Sequence, residues 1–317
     1  MEEEGKKLAE SYPVAVADGS QSFPSQMEET PYSSRSNRSV RRWISPSLFI
    51  LTLLTTLISG ARLEGVDPLR NPALLFRGAP FAFSLMTILF VHEMGHYLTS
   101  KHYGVQTTPP FFIPGPWFPS GIGTFGAFIR MRSPILQKHA LLAIGAAGPI
   151  AGFVVALGAT VAGLLMSTVA ASDSIPHNTW VLGNALLFSA LTHLLLQPPA
   201  GYDIILHPVA LAGWFGFFVT SLNLLPIGQL DGGHIAYALL GKRQREISIG
   251  IVLILVVLGF YGWPGWYVWA FLTTMLGVRH PPTIDEDIAL NLSYKIMGWG
   301  SLVLFILTFM PIPFDIR

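Results

Sequence analysis

Residues 90–99 read "FVHEMGHYLT" and lie inside a long apolar stretch that begins near Pro80. Two histidines and a glutamate occupy five consecutive positions: His92, Glu93 and His96. An ionisable cluster at membrane depth is costly and marks a functional site by default. The apolar flanks predict a spanning helix, and on a helix positions i and i+4 share one face. Both imidazoles can therefore reach one metal ion. Zinc suits imidazole nitrogen, and catalytic zinc sites leave one coordination position open. Glu93, beside the first histidine, is placed to take a proton from a water molecule there. A metal and a wet cavity thus explain why the chain tolerates these charges in lipid.

The composition agrees with a membrane setting. Hydrophobic residues make up 51% of the 317 residues and charged residues 12%, a balance that fits a membrane protein better than a soluble domain. The formal net charge is +1, which gives no bulk attraction to nucleic acid. There is no cysteine, which removes disulfides, thiolate ligands and cysteine nucleophiles together.

Spans need roughly 20 mainly apolar residues. Candidates lie at 43–61, 79–101, 139–166, 206–226, 246–262 and 294–312, with a shorter one at 263–278 after "YGWPGW". The expectation is an all-α polytopic membrane protein of about seven transmembrane helices. Residues 1–42 are polar and end in Arg35, Arg38, Arg41 and Arg42; they read as a disordered cytoplasmic tail whose arginines set topology. A first transmembrane helix and outer loop (43–78), a catalytic core (79–245) and C-terminal transmembrane helices (246–317) follow.

No Lys or Arg occurs between Lys138 and Lys242, so 167–205 reads as an outside loop and the KRQR cluster as cytoplasmic. The apolar stretch 180–196 resembles a span, yet a crossing there would send that cluster outside. It reads instead as an interfacial or re-entrant helix. Residues 104–133 break the helical pattern with Pro and Gly while favouring extended chain. They read as a loop and a β-hairpin or ribbon whose edge could pair with an extended peptide, or as a plain connecting loop.

Two histidines rarely complete a site. A second irregular stretch, "NLLPIGQLDGGH" at 223–234, supplies Asp231 at the matching cytoplasmic depth. Irregular backbone in a membrane must be buried in protein or line a wet cavity. Asp231 can be a third ligand, or an N-cap before a short helix. His102, His139, His177, His193, His207 and His280 read as interfacial or loop residues. Gly145, Gly148 and Gly152, with Pro149 among them, read as small residues that let helices approach closely.

Three motifs in order, "HEMGH", "GAAGPIAG" (145–152) and "NLLPIGQLDGGH", resemble the site-2 protease family of intramembrane zinc metalloproteases, over roughly residues 79–245. The resemblance implies one zinc ion held by His92, His96 and Asp231, with Glu93 as catalytic acid and base. It implies that Asn223 holds substrate or stabilises an oxyanion; an interhelical hydrogen bond is the alternative. It also implies membrane-protein substrates cut in or near their transmembrane segments. "GTFGAFIRMRS" resembles the family's β region, thought to receive unwound substrate. The 167–205 loop is too short for a PDZ domain, so the chain looks like the PDZ-lacking bacterial and plastid-type members, in a bacterial inner membrane or a plastid membrane. A metal-ion transporter, or an inactive relative that binds membrane proteins, are the competing readings; a transporter would not require Glu93 between the histidines.

Overall fold

A computed structural model of the chain describes residues 35–116, 121–175, 180–285 and 288–316. Most of the expected tail, residues 1–34, lies outside these. The chain divides into two units, Met1–Val40 and Arg41–Arg317. Of the first, only helical backbone at 35–40 is described; the second holds the helices and strands that build the core.

The architecture is mostly helical. Helix α1 is Arg35–Leu63, α2 is Ala79–His102, α3 is Lys138–Leu165, α4 is Leu186–Leu195 and α5 is Pro208–Asn223. Helices α6 (Asp231–Leu240), α7 (Gln244–Tyr261), α8 (Gly265–Leu276) and α9 (Leu292–Thr308) follow. Four stretches, Trp43–Leu63, Pro72–His102, Lys138–Leu165 and Asp231–Tyr261, are long and apolar enough to cross a membrane. α5 and α9 are apolar but shorter. α4 has ten residues and rises only about 15 Å, half of a hydrocarbon core of about 30 Å, so it does not cross as a single helix.

α5 sits at the centre. Ala210, Ala212, Gly213, Trp214, Phe217 and Leu222 are all buried, the signature of a helix enclosed on every side. It packs on α2 and α3. Trp214 stacks on Phe218 with ring centroids 5.7 Å apart, and its indole N–H donates to the Gly183 carbonyl at 2.8 Å. A buried indole thus finds the acceptor it requires.

Three small antiparallel sheets complete the fold among the described residues. β1 (Phe111–Pro114) pairs with β2 (Thr124–Phe128), with Phe112 opposite Ala127. The ribbon continues through a bridge between Thr107 and Met131. It forms where the sequence suggested extended chain. α1 backs β1: Ser45 donates to Pro110 O at 2.6 Å, and Phe49 meets Phe112 edge-on at 5.0 Å. The other two sheets were not expected. β3 (Thr168–Ala171) pairs with β5 (Tyr202–Ile205), and β4 (Trp180–Leu182) pairs with the C-terminal strand β6 (Phe314–Ile316). Strands of three or four residues carry too little alternation to register in a pattern.

Residues 224–230 run irregularly between α5 and α6. Ser248 on α7 holds them: its hydroxyl accepts from Gly228 N–H at 3.2 Å and from the Gln244 amide at 2.8 Å, and donates to Pro226 O at 3.0 Å. Both Ser248 and Gln244 are buried. Buried backbone polar groups without a ladder need such partners. Replacing Ser248 by Ala leaves several of them unsatisfied, and unfolding of the purified protein in detergent should show a loss of about 1–3 kcal/mol.

Candidate metal centre

α2 presents His92 and His96 one turn apart on a buried face, and Glu93 beside them is buried too. The His96 ring is oriented from the far side. Its Nδ1 lies 2.7 Å from the Ile144 carbonyl on α3. A carbonyl can only accept, so Nδ1 carries the proton and Nε2 keeps its lone pair. Such a hydrogen bond on the second ring nitrogen commonly fixes a metal-binding histidine.

α3 must come very close for this contact. A Cβ added to Gly148 would overlap the His96 ring, and one added to Gly152 would stand 3.0 Å from His92 Cβ. One added to Gly145 would stand 3.1 Å from the Asp231 carbonyl oxygen and 3.0 Å from His234 Cβ. Pro149 lacks an N–H, so the α3 ladder loses one bond in the turn that begins at Gly145. These glycines therefore abut the ionisable cluster itself, besides letting helices pack.

Asp231 is the first residue of α6, whose N-cap is Leu230. The carboxylate makes no cap and points at the histidines instead. Its Oδ2 is 3.2 Å from His96 Nε2 and 3.5 Å from His92 Nε2, and the two Nε2 atoms are 3.2 Å apart. A tetrahedral zinc ion with bonds of about 2.0–2.1 Å requires donor separations of about 3.3 Å. The triangle meets that requirement, and the donor set of two imidazoles and one carboxylate is one zinc accepts. Among the described residues, His92, His96 and Asp231 are the one group of three or more potential ligands that converge in this way.

Asn223, the last residue of α5, places its amide 3.1 Å from His92 Nε2. It sits at the rim of the triangle and bridges α5 to α2. β2 packs against α2, the helix that carries Glu93, which brings the ribbon beside the cluster. The remaining histidines stand apart. His207 caps α5, accepting from Val209 N–H at 3.3 Å, and His139 packs edge-on against Tyr103. His177 lies outside the described residues. His280 is buried, and its Nε2 is 2.8 Å from His234 Nδ1. The roles of Ile144 and Ser248 carry no sequence signal, because one is a backbone contact and the other is a common residue in an apolar helix.

A buried two-histidine, one-carboxylate triangle with a neighbouring glutamate, set in an apolar helical bundle, defines a membrane-embedded metallohydrolase class of site. The sequence profile of peptidase family M50 matches residues 80–260, and the chain belongs to that family, the site-2 proteases. Among its relatives, the "Probable zinc metalloprotease EGY2, chloroplastic" of Arabidopsis thaliana is 30% identical over 87% of this chain and 50% of its own length. The EGY1 protein of the same plant, also named a probable chloroplastic zinc metalloprotease, is 28% identical over 74% of this chain and 43% of its own. The EGY2 protein of Oryza sativa subsp. indica is 28% identical over 87% and 51%. The chain spans about half the length of these curated relatives.

The close approach at Gly148 gives a direct test. In Gly148→Ala the new methyl pushes the His96 ring off the triangle. Zinc content of the purified variant should fall well below wild type with helical content unchanged. Gly158→Ala on the same helix, where nothing lies within 4 Å, should keep its zinc.

Proposed function

We propose that the protein is an intramembrane zinc metalloendopeptidase that cuts membrane-protein substrates in or near their transmembrane segments. The observation that supports this best is the donor triangle of His92, His96 and Asp231 at zinc-compatible separations, with Glu93 beside it. When bound, one zinc ion supplies Lewis acidity toward the scissile carbonyl and a lowered pKa for water. Glu93 is the general base that takes the proton and later returns it to the leaving amine. Asn223, released from His92 when that nitrogen binds metal, donates its amide N–H to the carbonyl oxygen as negative charge develops there.

A helical substrate hides its carbonyls in its own hydrogen bonds, so it must unwind first. The ribbon offers a partner for the unwound chain. Arg130 O accepts from Thr108 N–H and Arg132 N–H donates to Gln106 O, so the even-numbered residues of this strand face β1 and the odd-numbered ones turn their backbone groups to the other edge. Ala127 therefore presents its N–H and C=O on the edge away from β1, where a substrate strand can add. Cleavage of a model transmembrane substrate, read together with metal content, tests both ideas. Glu93→Gln should abolish cleavage with zinc retained, which a metal transporter would not require. Asp231→Ala should lose both zinc and activity. Ala127→Pro, lacking the edge donor, should lower cleavage severalfold with zinc retained. Normal cleavage in Glu93→Gln would defeat the proposal.

The same reading sets the topology. About seven helices cross the membrane, the N-terminus is cytoplasmic, and α4 lies at the outer interface. This rests on the Lys and Arg distribution and on the ten-residue length of α4. The setting is a bacterial inner membrane or, as the names of the chloroplastic relatives suggest, a plastid membrane. Single cysteines in this cysteine-free chain report it. Ser174→Cys and Arg243→Cys replace exposed residues and should react with an impermeant thiol reagent from opposite sides. Gln244, in the same basic cluster, is buried and unsuitable. Labelling of both from one side would overturn the orientation.

A further inference from the structure

A cavity of about 460 Å³ opens where α7 begins and the segment after α8 returns. Among the described residues its lining includes Lys242, Arg245 and Arg279, with Glu246 the one carboxylate. Among the described residues neither Arg245 nor Arg279 has an ion-pair partner. The positive end of the α7 dipole adds to the same field. The inner wall is His280, buried and stacked on Tyr237 with ring centroids 4.5 Å apart.

Burial holds the His280 imidazole below its usual range. It is thus a neutral ring that donates through Nδ1 to Pro281 O at 2.5 Å and accepts at Nε2 from His234. α6 reaches the cavity through Tyr237, but none of His92, His96 and Asp231 lines it. The cavity is therefore distinct from the metal centre.

The rim is apolar. Ile249, which lines the cavity, is exposed. Leu253, Ile254 and Val257 continue along α7, and Met275 and Leu276 stand exposed on α8. These two helices form a hairpin, so the start of α7 and the end of α8 emerge on one side of the bilayer. A cationic cavity beneath a lipid-facing apolar wall fits a phosphate whose remaining half is an acyl chain. Basic pockets between transmembrane helices bind anionic headgroups in this way. A free phosphate would share the cations but gain nothing from the apolar strip.

We propose that this cavity binds the phosphodiester headgroup of an acidic phospholipid, with Arg245 and Arg279 on the phosphate and the acyl chains along α7 and α8. Native mass spectrometry of the delipidated full chain tests it. Titration with phosphatidylglycerol should give saturable binding that phosphatidylcholine does not match. Arg245→Gln and Arg279→Gln should each weaken it about fivefold, and the double variant about 25-fold, the loss expected for each basic contact removed from an anionic headgroup. Arg243→Gln, an exposed neighbour that does not line the cavity, should leave it unchanged. Equal binding of the two lipids, or phosphatidylglycerol binding unaffected in the double variant, overturns the site. Saturable binding of inorganic phosphate without a preference for phosphatidylglycerol overturns the lipid as its source.

Discussion

The hydrogen bond from His96 Nδ1–H to the Ile144 carbonyl is the contact on which the rest depends. It selects the tautomer that leaves Nε2 free, and it does so from a neighbouring helix. That demands an approach between α2 and α3 closer than any side chain would permit, which Gly148 supplies. Small residues also compensate for the weak drive for helix association in lipid, where burying apolar surface gains little. One stripe of α3 therefore serves both packing and ligand geometry.

The third corner of the triangle depends on a different device. A continuous helix through residues 208–240 would carry Asp231 past the histidines rather than toward them. The chain breaks after Asn223 and restarts at Asp231, turning the carboxylate back to α2. The cost of freed backbone groups is offset inside the protein by the hydroxyl of Ser248, itself held by Gln244. Irregular backbone, a buried polar trio and a potential metal ligand are consequences of one turn.

Around this centre the chain places two surfaces of opposite character. The ribbon, packed against α2, brings backbone hydrogen-bonding groups beside the helix that carries Glu93. The cavity at the start of α7 instead gathers basic side chains. None of the three potential metal ligands lines it, although α6 contributes to both.

Much was legible in the sequence because the chemistry is local. His92, Glu93 and His96 lie within one turn of one helix, so their spacing alone sets them on adjoining faces. The Pro and Gly of 104–133, where the ribbon forms, likewise act through near neighbours. Asp231 was open to two readings, ligand or cap, and only its direction at the start of α6 separates them, since that depends on how α5 ends. The Ile144 carbonyl, the Ser248 trio and the strand pairing of residues 180–182 with the C-terminus were invisible. Each joins segments far apart in the chain through backbone atoms or common side chains, which leave no pattern. The sequence by itself determined which residues could hold a metal in an apolar helix. The tertiary structure decided that three of them meet at tetrahedral separations, because only the packing of α3 and the break after α5 bring the two helices into register.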